Sequence, residues 1–203
     1  MKKLIPILSM LMLSVLSGKG QTTFGVKGGL NVAYMNIDMR ESHIAYHAGI
    51  FVNEDLSDKF FLQPELLYSI KGAKFPEYFF PADMDFTFYY VSMPILFGWK
   101  PADHLSLLVG PEISYLTDYK FVINEQPIAG SDGFAEWDVS LDLGVAYAIT
   151  KKLSVELRFV YGLTNVVNIL FTDENGQTIG NLNEGKNRAL QLSGYYRFSS
   201  DNE

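Results

Sequence analysis

Residues 152–165, KLSVELRFVYGLTN, place an apolar side chain at every odd position from Leu153 to Leu163, while Ser154, Glu156, Arg158 and Thr164 occupy even ones. Strand side chains alternate between two faces, so the pattern predicts a strand with one apolar and one polar side. On a helix the two charges would turn into the apolar face. The same alternation recurs at 24–35, 44–53, 60–71, 86–99, 105–119, 136–149 and 188–198, giving eight strands in all. Pro64 falls on the apolar side of the third, where a missing ladder donor predicts a bulge or an edge-like irregularity.

The connections between these strands have a rhythm. Long stretches at 36–43, 72–85, 120–133 and 166–186 alternate with short ones at 54–59, 100–103 and 150–152. An antiparallel up-and-down barrel with both chain ends on one side produces this order, and barrels that cross membranes have short turns on one side and long loops on the other. Roughly ten residues suffice for a tilted strand to cross a bilayer.

Period alone does not say which face points inward, because a water-soluble lipocalin-like barrel shows the same alternation with the apolar side inside. Three features favour lipid outside. The polar face carries charges of both signs in mid-strand: Lys27, Glu65, Lys71, Glu112, Asp142, Glu156, Arg158 and Arg197. Glycine and alanine lie almost wholly on that same face, as a narrow lumen filled by side chains requires. Tyr34, Trp99, Trp137 and Tyr196 sit near strand ends on the apolar face, in the manner of interfacial girdles. The expected fold is therefore an all-β, eight-stranded antiparallel up-and-down transmembrane barrel with short periplasmic turns and long external loops.

Composition narrows this further. The 203 residues include 17 Gly, 12 Tyr, 15 Phe and no Cys, so disulfides, thiol catalysis and cysteine-ligated metals are excluded. Lys2 and Lys3, the apolar run 4–16 and the small residues of Gly18-Lys19-Gly20 have the layout of an export signal. Residues 1–20 are thus expected to be cleaved, leaving 21–203 as the barrel domain. Removing Lys2, Lys3 and Lys19 from the 16 basic residues leaves 13 against 23 acidic ones, a net charge of −10 compared with −7 for the whole chain. Such an acidic exported chain lacks the basic footprint that nucleic-acid binding needs.

Several stretches resemble the PorT-type bacterial outer-membrane β-barrel family. Phe24-Gly25-Val26-Lys27-Gly28-Gly29-Leu30-Asn31 is similar to its opening strand. Leu62-Gln63-Pro64-Glu65-Leu66-Leu67-Tyr68-Ser69, Pro94-Ile95-Leu96, Gly110-Pro111 and Tyr161-Gly162-Leu163-Thr164-Asn165 are similar to later ones, and Leu190 to Phe198 to the last. The resemblance implies fold and location but no shared catalytic motif. This chain departs from the pattern at Ser92, where an acidic residue is expected, and in the tail 199–203 beyond the terminal aromatic.

Chemistry is sparse. No G-x-S-x-G, H-E-x-x-H or phosphate-binding glycine loop is present, so no catalytic residue, cofactor or metal is expected. His43 and His47 are placed near the first external loop and His104 at a periplasmic turn. A rim enzyme would draw on His43 or His47 with Asp83 or Asp85. Asp38, Glu41, Asp83, Asp85, Asp132, Asp173 and Glu174 make the external loops acidic, a solvated surface or a weak divalent-cation site beside lipopolysaccharide. The charges on the polar face form either a structural plug or the lining of a narrow gated pore. Phe75, Tyr78, Phe79 and Phe80 are the candidate contact for a surface or secretion partner, the alternative being a loop folded onto the rim or into lipid. The expected partners are otherwise outer-membrane lipid, lipopolysaccharide and the assembly machinery, with the barrel monomeric.

Overall fold

The structure, a computed structural model, describes residues 22–36, 41–75, 83–124, 126–127, 133–172 and 178–198. Residues 1–20, expected to be an export signal, and the tail 199–203 lie outside these. Eight long strands form the barrel: β1 Thr22–Met35, β2 Glu41–Asp55, β3 Phe60–Phe75, β4 Met84–Ala102, β5 Leu105–Ile123, β7 Trp137–Ala148, β8 Leu153–Gly162 and β11 Asn187–Phe198. Three short strands add to these: β6 Gln126–Pro127 pairs with the end of β5, and β9 Val167–Thr172 with β10 Thr178–Glu184 forms a separate two-stranded sheet. The wall runs β4-β3-β2-β1-β11-β8-β7-β5, and pairing of β4 with β5 closes it. Every pairing is antiparallel, so the barrel has no free edge.

The two faces separate as the alternation predicts. On β8, Leu153, Val155, Leu157 and Tyr161 point outward and are exposed, while Ser154, Glu156, Arg158 and Val160 are buried inside. Around the barrel Leu30, Val109, Leu143, Leu157 and Leu192 continue an exposed apolar belt, with Leu157 and Leu192 at 50% and 57% exposure. A soluble barrel would bury such a belt; here only lipid can cover it. Small Val109 and Val145 lie between larger Trp99 and Phe159, leaving a shallow outer groove of about 630 Å³.

Several expectations change. β3 continues to Phe75 and β4 begins at Met84, so 72–75 and 84–85 are strand where a loop was expected, and 76–82 lie outside the described residues. β5 likewise runs to Ile123, where a loop from 120 was expected. The stretch 166–186 contains a hairpin of β9 and β10 that pairs with itself. Pro64 causes no bulge: its register with Ile95 is continuous, and the ladder to β2 skips Val52 and Asn53 but resumes unchanged at Glu54. The neighbouring ladder bonds hold the register across one missing donor. True register shifts fall between Ser42 and His47, between Tyr89 and Tyr90, and between Trp99 and Ala102.

At the short-turn end the lumen is filled by Phe51, Phe61, Leu96, Leu108, Ala146 and Tyr195. Phe51 meets Tyr195 edge to face at 5.3 Å. These rings fit because the wall opposite them is bare: a Cβ on Gly98 would fall 2.0 Å from Phe61 Cζ, and one on Gly25 2.3 Å from Phe51 Cζ. Gly98→Val is therefore expected to lower unfolding stability by about 1–3 kcal/mol through overpacking. Adding Phe61→Ala should return part of that loss in a denaturant titration; two additive losses would show that the ring does not fill the glycine's space.

Candidate functional site

The lumen charges divide into two clusters on the inward faces of β1, β3, β5, β7 and β8. In the first, Lys27 Nζ donates to Glu65 Oε1 at 3.0 Å and to both Glu156 oxygens at 2.8 Å. Arg158 reaches across the barrel: Nη2 and Nη1 hold Glu65 Oε1 and Oε2 at 2.8 and 3.0 Å, a bidentate pair. Its Nε donates to Glu156 Oε1 at 2.7 Å and Nη1 also to Asp142 Oδ2 at 3.2 Å. Gln63 Nε2 adds a bond to Glu65 Oε1 at 2.7 Å.

In the second cluster Lys71 Nζ lies 2.7 Å from Glu112 Oε1 and 3.8 Å from Asp138 Oδ2. Ser114 Oγ donates to the same Glu112 oxygen, and Ser92 Oγ stands 2.6 Å from Ser114 Oγ. The position where an acid was expected thus holds a hydroxyl that extends this cluster. Asp138 accepts from Thr164 Oγ1 and Asn187 Nδ2, each at 2.8 Å. Pairing of this density is what buried ions require, since each costs several kcal/mol to strip of water.

Arg197 belongs to neither cluster. It sits half-buried near the short-turn end, donating to Ser154 Oγ and Tyr195 OH, because its position next to the last wall residue leaves it below the carboxylates. His47 is not at a loop. It lies in the lumen opposite Gly29, with Nδ1 2.7 Å from Asn31 Oδ1 and Nε2 2.8 Å from Ser193 Oγ. The Asn31 amide nitrogen donates to Ser69 Oγ and Ile70 O, so its oxygen must accept from His47. Sequence reasoning also passed over Asp138, although its parity on β7 matches Asp142.

An apolar layer caps the long-loop end as well: Met35, Ala73, Phe75, Phe88, Tyr90, Val166 and Val167, with Phe86, Tyr119 and Phe134 against them. Phe88 and Phe134 meet edge to face at 5.0 Å. Phe75 is part of this layer and only 5% exposed, so it offers no surface contact; β3 simply extends far enough to turn it inward. Tyr78, Phe79 and Phe80 lie outside the described residues. The charged clusters therefore sit between two apolar layers. The signal for both layers was in the sequence as Phe51, Phe61 and Phe88, apolar residues on the polar parity near strand ends.

At the outer rim His43 Nδ1 lies 3.4 Å from Asp85 Oδ1, and Lys74 Nζ 3.5 Å from Asp85 Oδ2. Burial pushes the Asp85 carboxyl up, but the His43 ring and the Lys74 ammonium beside it outweigh this and hold it below its ordinary range. The rim thus neutralises Asp85. Arg188 lies lower on the outer face, its guanidinium 3.7 Å from the centre of the Tyr161 ring and bonded to Gly162 O, a cation tucked under an interfacial aromatic.

No curated protein is similar enough to this chain to count as a relative. Among solved structures, Neisserial surface protein A is similar at 15% identity and a TM-score of 0.47, over 87% of this chain and 97% of that one. The attachment invasion locus protein Ail of Yersinia pestis is similar at 14% identity and 0.47, over 89% and 100%. The N-terminal barrel domain of Pseudomonas aeruginosa OprF is similar at 14% and 0.39, over 89% and 100%. The family described as outer membrane protein beta-barrel domain matches residues 17–168, well over half of the chain, and the chain belongs to that family.

Proposed function

We propose that this chain is a non-conducting, non-enzymatic outer-membrane barrel with a structural or surface-interaction role, its charged lumen serving as an internal brace. One observation carries this reading: two ion clusters sealed between an apolar layer at each end. A conducting lumen needs a continuous wet path, and Phe51 and Phe61 at one end with Phe86, Phe88 and Phe134 at the other block it. The refolded protein in a planar bilayer is expected to give no conductance steps. Regular single-channel openings would favour the gated pore instead.

Residues 1–20 act in this reading as a cleaved export signal, and the resemblance to the PorT-type family is the finer assignment within the barrel family. The apolar belt meets lipid, the Tyr161–Arg188 pair meets the headgroup layer beside lipopolysaccharide, and the assembly machinery inserts the chain as a monomer. A surface partner would be met through the outer loops, whose acidic residues suit a cationic or polar surface over a polyanion.

The short-turn end faces the periplasm. Epitope tags inserted at Ser131 or Asn175 are expected to be reached by antibody on intact cells, and a tag at Ala102 only after permeabilisation. The opposite labelling would invert the orientation.

A further inference from the structure

The lumen is short of positive charge. Its two clusters contain five buried carboxylates, Glu65, Glu112, Asp138, Asp142 and Glu156, but only three cations, Lys27, Lys71 and Arg158. Each cluster is one positive charge short, and Glu112 of the second and Asp142 of the first lie on β5 and β7, which pair. Glu112 stands directly opposite Ser140, and Asp142 is two residues along the same inward face of β7. Side chains directly opposite on an antiparallel pair have Cβ atoms about 5 Å apart. Glu112 Oε2, Ser140 Oγ and Asp142 Oδ1 are all buried and have no protein partner. Each carboxylate spends its other oxygen on a cation, Glu112 on Lys71 and Asp142 on Arg158. Three buried oxygens thus remain at neighbouring positions on the inward faces of β5 and β7, one of them a hydroxyl.

We propose that Glu112, Ser140 and Asp142 form a binding site for one small hard cation of the sodium type. The donors are two carboxylates and a hydroxyl, with no thiolate or imidazole, and oxygen-only sets suit hard cations. Among the described residues no three of His, Cys, Asp or Glu stand together as a metal site, so the set lacks the extra ligands a zinc-type ion would use. The other titratable groups on the inward faces include Lys27 from β1, His47 from β2, Glu65 and Lys71 from β3, Tyr90 from β4, Asp138 from β7, Glu156 and Arg158 from β8, and Tyr195 with the half-buried Arg197 from β11, beside the uncharged Asn187 and Gln191. A bound cation would offset one of the two surplus negative charges. The inference goes beyond the brace reading, and its failure would leave a silent bilayer recording untouched.

The test is folding from urea into detergent at fixed ionic strength, with sodium exchanged for N-methylglucamine. A ligand bound only by the folded state multiplies the folding constant by one plus its concentration over Kd. Above Kd, a tenfold rise in sodium should therefore raise the folding constant about tenfold. Ser140→Ala, which keeps every charge, should flatten that dependence, as should Asp142→Asn. Equal folding constants in sodium and N-methylglucamine would overturn the proposal in favour of water or a proton on these oxygens. An undiminished sodium dependence in both variants would overturn it too, placing the cation elsewhere. Should a variant not refold, sodium content of the desalted wild-type barrel decides: about one per chain is expected, and none would refute the site.

Discussion

Arg158→Leu is expected to cost the barrel about 3–5 kcal/mol, the range for removing one partner from a buried ion network. Among the described residues Arg158 is the only side chain that touches Glu65, Asp142 and Glu156 together, and all four are buried. Without it Asp142 loses its ion pair with the guanidinium, while Glu65 and Glu156 must share Lys27. The leucine cannot replace the bidentate bond, and the stranded oxygens are buried between the two apolar layers. Arg197→Leu serves as the comparison. Its partners are the neutral Ser154 and Tyr195 hydroxyls and it is half-exposed, so a much smaller loss is expected. The double variant Arg158→Leu/Glu65→Leu should be no less stable than Arg158→Leu alone, since the second change removes a stranded charge. Urea titrations of the refolded barrels in lipid vesicles would measure all three. If Arg158→Leu and Arg197→Leu cost the same, the network is not a brace.

How much of this was open to sequence reading differs between the face of a residue and its depth. Face follows from parity, and parity survives along a whole strand. Lys27, Glu65, Lys71, Glu112, Asp142, Glu156 and Arg158 are all buried and alternate with apolar neighbours along their strands. Depth is set by strand stagger across the barrel, which no single strand encodes. His47 was read from its distance to a polar stretch, yet β2 starts at Glu41 and carries it down to the level of Gly29. Arg197 has the right parity at the wrong depth. Asp138 has the same parity as Asp142, and only the pairing across the barrel brings it to 3.8 Å from Lys71.

Strand length was also hidden. Beyond the lipid belt the outer face no longer has to be apolar, so alternation weakens while pairing continues. There β4 and β5 are held by rings across the ladder: Phe86 stacks on Phe121 at 4.4 Å, and Phe88 pairs in register with Tyr119. Aromatic clusters next to prolines suggest loops when read linearly. Only the register shows that Phe75, Phe86 and Phe88 close the mouth of the barrel.

Leu157→Arg tests the outer face with a gradient that only lipid can produce. Leu157 is 50% exposed and lies near mid-height on β8, opposite Val145 of β7 and Leu192 of β11, both outward and apolar. Arginine at the bilayer midplane costs about 2–4 kcal/mol on the outer face of a membrane barrel, falling to about 0–1 kcal/mol near the interface. Leu153 shares the face of Leu157 but lies at the short-turn end, opposite Tyr196. Leu153→Arg should therefore cost little, its guanidinium reaching headgroups past the aromatic ring. Both variants keep Arg158 and every lumen contact, so the difference between them isolates depth in lipid. Refolding stability in lipid vesicles would read it. A loss at Leu157 at least twice that at Leu153 is expected. Equal small losses would mean that water covers this belt and that the barrel does not span the bilayer at this height.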